Sequence, residues 1–121
     1  MNIPKTLNEA IDFIISDLSI EEIDEINSGN ISVASMHHGF GSWIRNNWGL
    51  WSGSELRTHF LDLGIWHADD MSGIILMAVI SKVKNEKFDL NAQINRYIKF
   101  WDDQNIDSKK EIDKLRNNEN K

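Results

Sequence analysis

Hydrophobic residues recur along this chain at intervals of three and four, and glycines interrupt the pattern. The first stretch has one apolar stripe, formed by Leu7, Ile11, Ile14, Ile15 and Leu18. The second has a shorter stripe, formed by Ile20, Ile23 and Ile26, and stops at Gly29. Spacing of this kind brings side chains onto one face of a helix. The pattern therefore predicts two amphipathic helices before Gly29.

A third helix is predicted to begin near Asn30 or Ser32 and to run unbroken to Gly49. Its apolar face comprises Val33, His37, Phe40, Ile44 and Trp48. On the neighbouring face, Gly41 leaves a gap between His38 and Arg45 that could receive another helix or a ligand. Gly49 suits a left-handed helix end, after which the chain would fold back onto the helix.

Three further helices follow from the same periodicity. The fourth is predicted from Ser52 to Gly64, with an apolar ladder of Leu56, Phe60 and Leu63. The fifth begins near His67 and is apolar on nearly all sides to Val83, which is typical of a helix at the centre of a core. Asp89 is predicted to cap the sixth. The stripe of that helix comprises Leu90, Ile94, Tyr97, Ile98 and Trp101.

Helix starts are also marked by Ser or Thr followed three residues later by Glu, the capping-box pattern. The pattern occurs four times, at Thr6–Glu9, Ser19–Glu22, Ser52–Glu55 and Ser108–Glu111. The sequence thus predicts an all-α protein, a compact single-domain bundle of about five to six helices around a central apolar helix at about 67–84. Residues 1–104 form this domain. Residues 105–121 are expected to be a frayed polar helical tail, because Ile112 and Leu115 are too few to hold it.

Composition narrows the class of protein. The 121 residues carry a net charge of −6 and include no cysteine. A reducing cytoplasm is therefore the expected compartment, and disulfides and thiol chemistry are excluded. No secretory signal or stretch long enough to span a membrane is found. The scattered Lys and Arg residues do not form the basic patch that nucleic-acid binding needs, so neither a membrane nor a nucleic acid is expected as partner.

The run from His37 to Trp51 is the most unusual part of the chain, because it concentrates His, Arg, Asn, Gly and Trp residues. Such a mixture marks either a binding site or a tight structural joint. Together with polar groups further along, it defines a candidate cluster, which comprises His38, Arg45, Asn46, Trp51, His59, His67, Asp69 and Asp70. No residue in it is assigned a catalytic role.

Two interpretations of this cluster are open. The His and Asp residues could serve metal-assisted hydrolysis, but their spacing matches no metal motif, and no metal or other cofactor is predicted. The structural alternative is favoured, in which a partly buried Arg45 pairs with Asp69 or Asp70 at the start of another helix. That pair predicts that Arg45→Lys is not conservative, because Lys cannot make a bidentate contact.

Two motifs resemble those of a family of small bacterial domains of unknown function. The first pattern, HxGxGxxIRNxxGLW, corresponds to His37–Trp51, and the second, HPDDMS, to residues 67–72. The chain departs from the second only at Ala68, where the family has Pro, and either residue suits the first turn of a helix. The similarity extends over about 7–101. It implies no reaction, substrate or cofactor, but it implies that the Arg45 and Asp69–Asp70 regions belong to one feature.

Two functional hypotheses follow. The first is a non-catalytic helical module that binds another protein, of the immunity or antitoxin kind, with an exposed Trp51 or Trp66 as anchor. The acidic composition and small size favour it. The second is a small-ligand or metal-dependent hydrolase-like domain with the candidate cluster around a pocket between the third and fifth helices. Whether the protein is an enzyme is thus open, with the non-enzymatic hypothesis preferred.

Overall fold

The computed structural model describes residues 2–119, in which eight helices follow one another. They are α1 (Leu7–Asp17), α2 (Ile20–Asn27), α3 (Val33–His37), α4 (Phe40–Asn47), α5 (Glu55–Leu63), α6 (Ala68–Val83), α7 (Leu90–Asp103) and α8 (Ser108–Glu119). Between residues 2 and 119 there is no strand, and the predicted all-α class is confirmed.

Helix α6 is the centre of the bundle, as the sequence predicts. Helices α1 to α5 and α7 all pack against it. Its fully buried side chains include Met71, Ile74, Ile75 and Leu76. Burying one such side chain stabilises the fold by roughly 1.5–3 kcal/mol, so this helix supplies much of the free energy of folding.

The first two helices begin where the capping boxes predict. The hydroxyl of Thr6 accepts the amide N–H of Glu9 at 3.2 Å. At α2, the Ser19 hydroxyl accepts the Glu22 amide at 3.0 Å, and the Glu22 carboxylate accepts the Ser19 amide at 2.9 Å. Helix α2 nevertheless buries only Ile26 completely among its own residues. It is therefore attached to the bundle by a narrow contact.

The predicted unbroken third helix is wrong, because the chain breaks between α3 and α4 at His38 and Gly39. A break leaves the last carbonyls of α3 without helical partners. The guanidinium of Arg45 compensates by donating from Nη2 to the carbonyl of His37 at 3.2 Å. This hydrogen bond offsets part of the free-energy cost of the break. With the helix interrupted there, α3 and α4 each pack separately against α6.

The fourth predicted helix corresponds to α5. Ser52 does not cap it, so this prediction is also wrong. The cap is Ser54, whose hydroxyl accepts the amide of Arg57 at 3.1 Å and donates to the carbonyl of Trp48 at 2.8 Å. Residues 49–53 are used in a turn, closed by a hydrogen bond from the Gly53 amide to the Gly49 carbonyl at 2.9 Å. Gly49 has the predicted left-handed conformation, with φ of 68°.

The last two helices close one side of the bundle. The Asp89 carboxylate caps α7 as predicted, accepting the amide of Ala92 at 3.0 Å. Ser108 does not cap α8 but is its first residue, and its buried hydroxyl accepts Trp66 Nε1 at 3.2 Å. Ile112 is buried beneath α8, and Arg116 Nη2 lies 2.7 Å from the Asp62 carboxylate on α5.

Within the described residues, none of the helices is by itself both long and apolar enough to cross a membrane. Helices α5 and α6 reach that length and composition only when taken together, and they are bent by 89° at the break between them.

Candidate functional site

Arg45 lies at the interface of α4 and α6, where an ion pair and hydrogen bonds hold its guanidinium. Its side chain is buried, with 8 % of the residue surface exposed. Nε lies 3.2 Å from Asp69 Oδ1, and Nη1 donates to the hydroxyl of Ser72 at 2.8 Å. The ion pair that the sequence predicts therefore forms, with Asp69 as the partner. A buried guanidinium is stable only when its donors are used in this way.

The gap predicted at Gly41 is filled from within the protein. A Cβ atom there would lie 3.0 Å from Arg45 Nη1, 3.4 Å from the Met36 carbonyl and 3.5 Å from Leu76 Cδ1. The space beside α4 thus accommodates the guanidinium and a side chain of α6. It receives another helix, which was one of the two expectations for this position.

Ser72 completes the contact between the two helices. It is fully buried, and its hydroxyl donates to the carbonyl of Asp69 at 3.0 Å while it accepts from Arg45. Sequence reasoning did not single out this residue. The available signal is its position three residues after Asp69 in an otherwise apolar helix, which places both on one helical face. We call Arg45, Asp69 and Ser72 the helix tie.

His67 forms the N-cap of α6. Its Nδ1 accepts the amide N–H of Asp69 at 3.1 Å, so the proton of the neutral ring belongs on Nε2. Nδ1 also lies 3.9 Å from the Asp69 carboxylate. The ring is stacked on Trp101 with centroids 5.5 Å apart and planes 20° apart. Its position is therefore fixed from two sides.

Asp70 faces α7 rather than α4. Its carboxylate accepts Trp101 Nε1 at 2.8 Å. Burial raises the pKa of this carboxyl above its ordinary value, although the Trp101 hydrogen bond and the nearby His67 act in the opposite direction. Adjacent positions on a helix point about 100° apart, which explains why Asp69 and Asp70 serve different neighbours.

Trp51 is the exposed member of the candidate cluster. It keeps 53 % of its surface accessible, so it does not fold back into the core as expected, whereas Leu50 is buried. Its carbonyl accepts Arg57 Nη1 at 2.8 Å, and its ring meets His67 edge to face at 5.5 Å. The backbone of this residue is thus anchored while one side of its ring faces solvent.

The aromatic residues around His67 form one continuous surface. The ring centroids of Trp66 and Trp101 lie 4.7 Å apart. Phe100 packs edge to face on Trp101, with ring centroids 5.0 Å apart. Trp51 and Phe100 are the most exposed of these rings. We call this set the aromatic surface; its members are Trp51, Trp66, His67, Phe100 and Trp101. A cleft of about 200 Å³ adjoins it, lined by Asp70, Arg96, Tyr97 and Phe100.

The remaining predicted residues lie apart from these groups. His38 is exposed at the end of α3 and contacts the ring of His37 at 5.2 Å. Asn46 is exposed on α4, and the ring centroid of His59 on α5 lies 5.8 Å from that of Phe60. Across residues 2–119, no three His, Asp or Glu side chains are placed to hold a metal ion.

The fold and the site define a small all-helical domain in which buried polar groups join two helices beside an exposed aromatic surface. A family described as "Domain of unknown function (DUF6794)" matches residues 3–83, and the chain belongs to this family. No curated protein and no solved structure matches the chain. The matched range contains the whole helix tie and Trp51, whereas Trp101 lies beyond it.

Proposed function

We infer that this protein is a protein-interaction module and that Trp51 is the anchor of its binding surface. The observation that carries this inference is an indole ring half exposed on a backbone that is held at both ends. Tryptophan is the residue type most enriched among those that dominate binding energy at interfaces. The ring exposed here is therefore a better candidate for a contact with a partner than for a structural role.

The loop that carries Trp51 is organised before any partner binds. Gly49 starts it in a left-handed conformation, Ser54 ties its end to Trp48, and Arg57 holds the Trp51 carbonyl. Binding by a preordered side chain avoids the entropy cost of immobilising it, which is about 0.5–1.5 kcal/mol for each such side chain. This rigidity supports a binding role.

The hydrogen bonding of the polar groups in the site favours a protein-interaction module over the hydrolase-like alternative. The guanidinium of Arg45 is used by Asp69, Ser72 and the His37 carbonyl, and Nδ1 of His67 is used by the helix cap. Groups engaged in this way maintain the fold. The exposed apolar area of Trp51 and Phe100 is what the site offers to another molecule.

A narrower proposal concerns the partner, which we take to be another bacterial protein in the cytoplasm, of the kind inhibited by an immunity protein or antitoxin. The small size of the chain and its lack of cysteine suit such a module in a reducing compartment.

The test is site-specific photo-crosslinking in the cells that make the protein. A photoreactive residue replaces exposed Ser52, next to an intact Trp51, and the adducts are compared with those of the same chain carrying Trp51→Ala. We expect one protein adduct, reduced at least about tenfold by the alanine variant. Because Trp51 is half exposed and its ring packs on His67, its replacement should lower the free energy of unfolding by about 1–2 kcal/mol, a loss that leaves a domain of ordinary stability folded.

The position control places the same photoreactive residue at exposed Lys87, between α6 and α7. An adduct that forms equally well from Lys87, or one that survives Trp51→Ala, would show that the indole is not the anchor. Failure to obtain any specific adduct from position 52 would also contradict the proposal.

A further inference from the structure

The charge of this protein is distributed unevenly along the chain. Residues 1–29 contain seven acidic residues and one basic residue, and residues 30–121 contain twelve of each. The whole net charge of −6 therefore resides in the segment that forms α1 and α2. A field concentrated in one segment acts on a partner more strongly than the same charge spread over the surface.

Few of these carboxylates are neutralised within the protein. Asp12 pairs with Lys82 at 3.1 Å, and Lys5 is engaged by Glu55 at 3.8 Å. Among the described residues, no cation pairs with the acidic side chains at the end of α1 and along α2. These are Asp17, Glu21, Glu22, Asp24 and Glu25, all of which are exposed.

An apolar groove lies beside these carboxylates. Its volume is about 370 Å³, and it runs between α1, α2, α3 and the first residue of α4. Ile14 and Ile26 form its buried floor, and Ile31 contributes a partly buried wall. Asp17 and Glu22 belong to its lining, and the Glu22 carboxylate also accepts the Ser19 amide in the capping box of α2. Apolar surface and unpaired negative charge thus meet in one concave site.

We propose that this groove binds a cationic amphipathic segment of another protein. A large apolar side chain of that segment enters the groove, and flanking Lys or Arg residues face Asp17 and Glu22. A partner of this composition satisfies both properties of the groove, whereas an acidic segment is repelled and a neutral one leaves the carboxylates unpaired. The groove does not include Trp51, so this binding is independent of the aromatic surface.

A second copy of the chain suits the groove less well. Its most lysine-rich helix, α8, also carries Glu111 and Asp113, and its apolar residues Ile112 and Leu115 pack against its own bundle. The first two helices of a second copy would bring like charges together. The expected occupant is therefore a different protein.

The probe is a fluorescent peptide of about 18 residues with Leu at helical spacing and Lys elsewhere. A matched peptide replaces every Lys with Glu. Binding to the full protein is measured by fluorescence anisotropy at low ionic strength, where screening is weak. We expect the Lys peptide to bind with one site per chain and the Glu peptide to bind at least about tenfold more weakly.

Two variants with equal change in net charge localise the site. The rim variant is Asp17→Asn with Glu22→Gln, in which Gln retains the capping box. The remote variant is Glu86→Gln with Asp102→Asn, both exposed and outside the groove. We expect about fivefold to tenfold weaker binding for the rim variant and less than about twofold for the remote one.

The apolar requirement is tested by Ile31→Ala, for which we expect binding several times weaker with the same salt dependence. Trp51→Ala should bind the peptide as well as the unaltered protein does. Equal weakening by the rim and remote variants, no effect of Ile31→Ala, or equal binding of the Glu peptide would each overturn the proposal. So would self-association through the groove, seen by sedimentation as a dimer that the rim variant abolishes, or an absence of peptide binding.

Discussion

The run from His37 to Trp51 supplies two regions with opposite properties. Arg45 is 8 % exposed and contacts Asp69, Ser72 and the His37 carbonyl, so its charge is used inside the protein. Trp51, six residues later, is 53 % exposed although its residue type is apolar. The charged residue is thus the structural one, and the hydrophobic residue is the one left available to a partner.

The difference between Arg45 and Trp51 shows how an unusual local composition should be interpreted. A rare combination of residues indicates that a segment is constrained, but it does not say whether the constraint is the fold or the binding of a partner. A buried guanidinium requires partners from other elements, so it joins elements together. An exposed indole leaves apolar area in water, which is costly unless another molecule covers it.

The largest effect is expected from Arg45→Ala. The variant loses the buried guanidinium and leaves the Ser72 hydroxyl and the His37 carbonyl without this donor. Loss of one partner of a buried pair costs about 3–5 kcal/mol, and the lower end applies because Asp69 keeps 43 % of its side chain exposed. Urea unfolding should therefore show a loss of about 3 kcal/mol.

Arg45→Lys serves as the matched comparison, since it keeps the charge but lacks the planar set of donors. We expect it to lose about 1–2 kcal/mol, because one ammonium cannot reach all three acceptors of the guanidinium. Full stability in the Lys variant would mean that charge alone holds α4 to α6 and that the geometry of the helix tie is unimportant.

A smaller loss is expected from Gly49→Ala, which tests whether the loop of Trp51 is held rigidly. Its φ of 68° disfavours a side chain, and a Cβ would lie 2.7 Å from the Gly53 carbonyl. The expected loss of stability is about 2 kcal/mol. In the same variant, ¹⁹F NMR of protein labelled with fluorotryptophan, in which the Trp51 resonance is assigned from Trp51→Phe, should show a more mobile indole.

The control for this loop is Gly29→Ala, at another glycine with positive φ, 83°, where a Cβ would meet nothing within 4 Å. It carries the conformational strain without the collision. If both variants lose the same stability, the close packing of the Gly49 turn contributes nothing, and the preordering of Trp51 loses its support.

The sequence predicts those features that depend on neighbouring residues in the chain. The caps at Thr6, Ser19 and Asp89 form as expected because each needs only an amide three residues away. The central position of α6 follows from apolar residues on all its sides. The pairing of Arg45 with an Asp follows from the cost of burying its charge.

Features that depend on tertiary arrangement escape the sequence. The break between α3 and α4 is stabilised by Arg45, which reaches back to His37 across eight positions. The choice of Asp69 over Asp70 depends on which neighbour packs on each face of α6. Trp101, which takes Asp70, is 31 positions away. Periodicity gives the face of a helix but not the element that will cover it.

The smallest effect is expected at Asp70, whose carboxylate accepts Trp101 Nε1 of the aromatic surface. Because burial raises its pKa in the folded protein, the folded state holds its proton more tightly than the unfolded chain does. Its contribution to stability is therefore fully present below the ordinary value of 3.8 and is lost as the pH rises through the raised pKa. Asp70→Asn removes this titration and keeps an oxygen acceptor for Trp101.

The stability of the unaltered protein relative to Asp70→Asn should consequently fall as the pH rises from about 3 to about 8, measured by urea unfolding. A difference that instead grows with pH would mean that the charged carboxylate stabilises the fold. In that case Asp70 would join helices through its charge, as Asp69 does. Asp70 would then belong with the structural Arg45 region, and only Trp51 and its aromatic neighbours would remain available to a partner. A falling difference would mean that a costly carboxylate is kept beside the aromatic surface, which is expected of a group with a role in binding.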